Sequence, residues 1–184
     1  VGPTIASDIK RAGVNAVIFA IIVVFVYIAI RFKKWAFGLG GTAALIHDSF
    51  IAAGLYSLFY GIVPFTLEVD QSFVAAILTI IGYSINDTVI IFDRIREHLK
   101  LYPKRSLEEN INNAINSTLM RTFNTSGSTL VVLLALLLFG GDSIRGFVFA
   151  LMMGIIIGTY SSVFVATPLA YEITKVREKN KKKE

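Results

Sequence analysis

Asp87 lies within Gly82–Tyr83–Ser84–Ile85–Asn86–Asp87–Thr88, inside an apolar run from Phe73 to Phe92. A carboxylate in the middle of a membrane-length hydrophobic segment costs about 2.5–3.5 kcal/mol on insertion scales. Such residues face a bundle interior or a wet cavity, where they serve a proton or ion pathway or pair with a buried cation. Arg121, near the start of another apolar run, is the cation at comparable depth. Helical spacing places Tyr83 and Ser84 on the Asp87 face. On the other run, Arg121, Thr125, Ser128 and Thr129 form one polar stripe bordered by Thr122 and Ser126. The two strips form a candidate proton pathway: Ser84, Asn86 and Asp87 on one helix, Arg121 and Thr125 on the other. Burial favours the neutral acid and a nearby cation favours the carboxylate, so a conformational change that alters their spacing alters protonation. A permanent ion pair that only holds two helices together is the competing reading. The hydroxyls carry less weight, because most Ser and Thr in membrane helices bond back to their own i−4 carbonyl.

His47–Asp48 forms a secondary polar dent in an earlier apolar run. Adjacent helical residues point about 100° apart, so the two do not chelate one metal together. With no third ligand evident, the expectation is hydrogen bonding to a neighbouring helix, with no metal and no cofactor. Asp93, followed by Arg94 and Arg96, is expected to anchor a membrane edge.

The elements that position these groups are apolar helices. Hydrophobic residues make up 54% of the 184-residue chain and the mean hydropathy is +0.66. A bilayer core of about 30 Å needs about 20 helical residues. Five segments qualify, at about 12–30, 38–60, 71–92, 119–139 and 146–171. They are too long and too unalternating for barrel strands, so the expected fold is an all-α polytopic membrane bundle forming a single transmembrane domain. The net charge of +5 sits in short segments between the runs and in the tail 175–184, a distribution unlike that of a nucleic-acid binder. There is no cysteine, so disulfides play no part. The chain starts Val1–Gly2–Pro3, and its first apolar run is too long for a signal-peptide core, so it reads as a fragment of a longer membrane protein.

Lys and Arg set the orientation. Fourteen of them lie after the first and third spans and in the tail, against three (Lys10, Arg11 and Arg145) on the other side. This predicts an extracytoplasmic N-terminus and a cytoplasmic C-terminus. Ser106 and Glu109 make a capping-box pattern, and Leu107, Ile111, Ile115 and Leu119 recur every four residues. The stretch 106–118 therefore reads as a short amphipathic helix, either lying on the cytoplasmic interface or packing on the bundle as a connector. In the last span, Gly146, Ala150, Gly154, Gly158, Ser162, Ala166 and Ala170 form a small-residue row, which implies close packing within the bundle or against another subunit. Pro168 either bends the end of that helix or marks its last turn.

Gly82–Glu97, GYSINDTVIIFDRIRE, resembles the signature of SecF-type members of the SecD/SecF protein-export family. HDSFIAAG at 47–54, LMRTFNTSGSTL at 119–130, GTYSSVFVATPL at 158–169 and the opening VGPTIASDI are similar to further membrane motifs of that family, with Ala6 where the family often has Gly. The resemblance implies the last five of six SecF-type helices, from a separate SecF or a fused SecDF, in the RND superfamily and the bacterial cytoplasmic membrane. It implies a subunit, not an enzyme, that uses the proton-motive force to assist protein translocation. The implied partners are SecD or a SecD-like half, the Sec translocation channel, the unfolded exported polypeptide, membrane lipid and the proton, with no nucleic acid. The family's intramembrane acid falls on Asp87 and its arginine on Arg121. A passive scaffold for partner subunits, or an RND-type exporter of small molecules or lipids, is the alternative function.

The charge asymmetry yields a direct test. Single cysteines replacing Lys34, Lys104 and Lys182 should resist an impermeant thiol reagent in intact cells, whereas one replacing Asp142 should react. External labelling at position 104 would reverse the orientation.

Overall fold

The structure, a computed structural model, describes residues 3–181. Helix α1 spans Pro3–Phe32, α2 Trp35–Leu58, α3 Gln71–Leu101, α4 Leu107–Phe139 and α5 Asp142–Ser161. A π-turn, Ser162–Ala166, joins α5 to α6, Thr167–Lys181. Five helical stretches are long and apolar enough to cross a membrane, with α5, the π-turn and the start of α6 forming the last. The fold is the expected all-α polytopic bundle.

Helix α3 is the hub and packs against α1, α2, α4 and α5. The Asp70 carboxylate starts it by accepting the Phe73 N–H at 2.9 Å, satisfying one of the donors that a helix leaves unpaired at its N-terminus. Phe73, Ile77, Ile80, Ser84, Asp87, Ile91 and Ile95 are buried along it. Helix α1 is peripheral. Val14, Ile18, Phe19, Ile22 and Ile30 are exposed on it, as a lipid-facing helix requires. It ends where Lys33 adopts φ 54°, a left-handed cap more usual for glycine, and the Lys33 N–H returns to the Ala29 carbonyl.

The small-residue row is buried along its whole length. A β-carbon at Gly154 would run into the Ile80 side chain, and one at Gly158 would lie 3.0 Å from the Ser84 β-carbon. One at Gly146 would lie 2.8 Å from the Thr66 carbonyl oxygen. The row therefore seats α5 on α3 and on the loop after α2, which places it inside the bundle.

Two expectations change. The stretch 106–118 is not a separate helix, because α4 runs unbroken from Leu107 to Phe139. The Ser106 cap does form, with its hydroxyl accepting the Glu109 N–H at 3.1 Å. Asn110, Ala114, Thr118, Thr122 and Ser126 then form one continuous buried row, so nothing favours a break. At 31 and 33 residues, α3 and α4 reach about 46 Å and about 50 Å, well beyond the bilayer core. Pro168 does not mark a last turn either, since α6 continues to Lys181. Proline has no N–H to give the preceding turn. The chain widens locally there, and the Thr167 hydroxyl donates to the Ser162 carbonyl at 2.9 Å.

Charged ends brace the bundle. Asp93 accepts from Arg31 at 3.0 Å and from Arg96 at 2.7 Å, tying the end of α1 to α3. Asn110, fully buried, donates to the Tyr102 carbonyl at 3.1 Å and fixes the α3–α4 turn.

Gly154→Leu should destabilise the chain by about 1–3 kcal/mol through overpacking against Ile80. Thermal unfolding in detergent reads the effect, and an unchanged midpoint would mean that α5 can withdraw from α3 without cost.

Candidate functional site

Two carboxylates are buried at the centre of the bundle, and they differ in how they are satisfied. Asp87 on α3 is 1% exposed and turns toward Ser126 on α4. Among the described residues its one hydrogen bond is a long one from the Ser126 hydroxyl, 3.5 Å. Ser126 also pairs with the Thr159 hydroxyl at 2.7 Å. Thr122, one turn before Ser126, has a buried hydroxyl with no partner among the described residues. Thr122, Ser126 and Thr159, with Phe123, Tyr160 and Phe164, line a cavity of about 300 Å³ between α4 and α5. Asp87 thus sits behind a short polar strip in an otherwise apolar groove.

Asp48 on α2 is 0% exposed. It accepts from Ser84 on α3 at 2.6 Å and from Ser161 on α5 at 2.8 Å. His47 Nδ1 lies 3.1 Å from the other carboxylate oxygen. One residue therefore links three helices. His47 remains about a third exposed. Thr88 and Ser162, 2.9 Å apart, extend the hydroxyl layer toward the π-turn. Among the described residues no group of three His, Asp or Glu side chains converges as a metal site.

Of the five pathway residues named from the sequence, Ser84 and Asp87 lie inside the bundle, whereas Asn86, Arg121 and Thr125 are exposed on this chain. Asp87 and Arg121 form no ion pair among the described residues. The reason is rotational: Thr122, not Arg121, belongs to the inward row of α4, and adjacent positions differ by about 100° around a helix. The Thr125 hydroxyl returns to its own helix, donating to the Arg121 carbonyl at 2.8 Å. Ser84 shares a helix face with Asp87 but spends its hydroxyl on Asp48. Thr159 and Ser161 were not singled out by sequence reasoning. Their signal was the hydroxyl-rich run Thr159–Tyr160–Ser161–Ser162 within an apolar helix.

The profile of the family described as protein export membrane protein SecD/SecF, C-terminal, matches residues 1–176. This chain belongs to that family. It is of the SecF type. The protein translocase subunit SecF of Rhodothermus marinus is 53% identical over 173 residues, covering 94% of this chain and 56% of that protein. The SecF subunit of Cereibacter sphaeroides is 48% identical over 166 residues, covering 90% and 49%. The chain thus spans about half the length of these curated relatives. A crystal structure of SecDF in a super-membrane-facing form superposes with a TM-score of 0.85 at 39% identity, over 100% of this chain and 23% of that one. SecDF from Thermus thermophilus, described as a translocon-associated membrane protein, gives a TM-score of 0.85 at 42% identity, over 95% and 23%. The SecF-type chain is accordingly a multi-pass protein of the bacterial inner membrane.

Hydrogen bonds to a charged acceptor contribute about 1.5–3 kcal/mol. Ser161→Ala, which removes one from Asp48, should lower stability by that amount. Thr125→Ala, which touches only its own helix, should stay within about 0.5 kcal/mol. Unfolding in detergent compares the two, and equal effects would mean that the Asp48 node holds nothing together.

Proposed function

We propose that this SecF-type chain forms the membrane part of a Sec protein-export subunit in which Asp87 takes up and releases a proton as the bundle changes shape. The observation that carries the reading is the placement of Asp87: a buried intramembrane carboxylate with a single weak hydrogen bond and no ion-pairing cation, beside a groove lined by hydroxyls. Asp48, by contrast, is held by two short hydrogen bonds from two helices and acts as a structural node. A carboxylate this poorly satisfied is suited to gain and lose a proton, whereas a fully satisfied one resists change.

Arg121 completes the cycle in this proposal. It precedes the inward-facing Thr122 by one position, so a rotation or tilt of α4 is the motion that carries its guanidinium toward Asp87. A guanidinium near Asp87 favours the carboxylate, and its withdrawal favours the neutral acid. Protonation and helix position are thereby linked. Other partners fit the same reading: SecD or a SecD-like half against the exposed Arg121 face, the Sec translocation channel, and the exported polypeptide outside the membrane. A passive scaffold is the second reading, favoured by the dense packing of α3 against α5.

In the full-length parent protein, Asp87→Asn should insert and fold but lose the part of export that depends on the proton gradient. Asn keeps the size and polarity but cannot ionise. Export is measured at normal expression with the gradient intact and collapsed. Full gradient-dependent export by the variant would leave only the scaffold.

A further inference from the structure

At the basic end of the bundle a cavity of about 510 Å³ opens between the α1–α2 turn and α6. Lys33, Lys34 and Trp35 line one side, and Ile173, Thr174 and Arg177 the other. We propose that this cavity binds the headgroup of an anionic phospholipid, with Lys33, Lys34 and Arg177 taking the phosphodiester and Trp35 and Ile173 flanking the glycerol.

Charge is the first reason. No acidic residue lines the cavity, and among the described residues Lys33, Lys34 and Arg177 form no ion pair. At the same end of the molecule, Arg31, Arg94, Arg96 and Arg105 are each paired with Asp or Glu. Three cations around one hollow, without an ion pair among the described residues, form a site for an external anion. A guanidinium matches a phosphate bidentately, and a lysine beside it supplies point charge.

The turn adds a second. Lys33 holds φ 54°, a backbone region that favours glycine, yet a lysine occupies it. Lys34 then stands at the N-cap of α2 with no side-chain cap, so the first N–H groups of that helix add positive potential beside the cations.

Position selects a lipid over a soluble phosphate ester. The apolar stretch of α1 ends at Phe32, immediately before the cavity. Trp35 is 66% exposed and packs its ring 6.0 Å from that of Phe25 on α1. A tryptophan flanking a membrane helix sits at headgroup level, and clustered Lys and Arg on the cytoplasmic side attract anionic lipid. An apolar wall beside three cations fits an amphiphile better than a free ion.

The test is native mass spectrometry of the full chain released from detergent, titrated with phosphatidylglycerol, phosphatidylcholine or soluble glycerophosphoglycerol. Phosphatidylglycerol should bind at least about tenfold more tightly than either of the others. K34Q/R177Q, which leaves the strained Lys33 turn intact, should weaken phosphatidylglycerol binding about thirtyfold, the combined effect of two cations near the surface. K34R/R177K should retain it. K100Q/K104Q removes the same charge elsewhere at that end and should change binding by less than about twofold. Equal losses in the two glutamine pairs would reduce the site to diffuse surface charge and overturn the proposal. Equal binding of phosphatidylcholine would overturn the anion requirement, and equal binding of glycerophosphoglycerol would make this a site for soluble phosphate esters. The comparison of the three ligands on the unmodified chain decides the lipid assignment even if a variant misfolds.

Discussion

The bundle depends on the close approach of α5 to α3. Lipid supplies no hydrophobic drive between helices, because acyl chains are as apolar as leucine, so association rests on tight packing and internal hydrogen bonds. Gly154 receives Ile80 with no room for a β-carbon, and Gly158 receives Ser84 in a tight contact. This proximity is what puts the Ser161 hydroxyl and the Ser84 hydroxyl on the same carboxylate oxygen of Asp48. Packing and polar satisfaction are therefore a single feature. The small residues bring the helices together, and the hydroxyls close the contact.

That arrangement gives the two buried acids different surroundings. Asp48 receives donors from two helices and a ring nitrogen from its own, so its environment is complete. Asp87 lies one turn beyond Ser84 on the same helix but meets Ser126 of α4, beside a cavity of about 300 Å³ between α4 and α5. Its neighbours are hydroxyls that pair with one another, and Thr122 still lacks a partner. Hydroxyls from α3 and α5 thus hold Asp48, while among the described residues Asp87 has only a long hydrogen bond from α4.

Helix length extends the same design past the membrane. Because α3 and α4 outrun the bilayer core, their ends form a projecting pair joined by the Tyr102–Asn110 turn and braced by Arg94 to Ser117 at 3.0 Å. Asp93 couples this projection to α1 through Arg31. Such exposed pairs contribute little stability individually. Their shared carboxylate, however, fixes the relative height of α1 and α3. Helix α4 runs unbroken from this projection to the groove beside Asp87.

The sequence by itself determined the five apolar helices, their membrane class, the burial of Asp87 and the small-residue row. Each follows from a local rule: run length against bilayer thickness, the cost of a charge in lipid, and side-chain size at four-residue spacing. It also carried the Ser106 cap, whose geometry involves only neighbours in the chain. Only the tertiary structure decided which way α4 is rotated. A shift of one residue, about 100° around the helix, turns Arg121 outward and Thr122 inward, and both residues lie in the same polar stretch of sequence. The partners of Asp48 were likewise beyond the sequence, because Ser84 and Ser161 reach it from 36 and 113 residues away. The unbroken run of α4 and the continuation past Pro168 were decided by neighbours too: a buried row that extends through Asn110 and Thr118, and a π-turn at Ser162–Ala166 where the Thr167 hydroxyl donates to the Ser162 carbonyl. Periodicity reports which face of a helix is polar, but the packing of other helices decides where that face points.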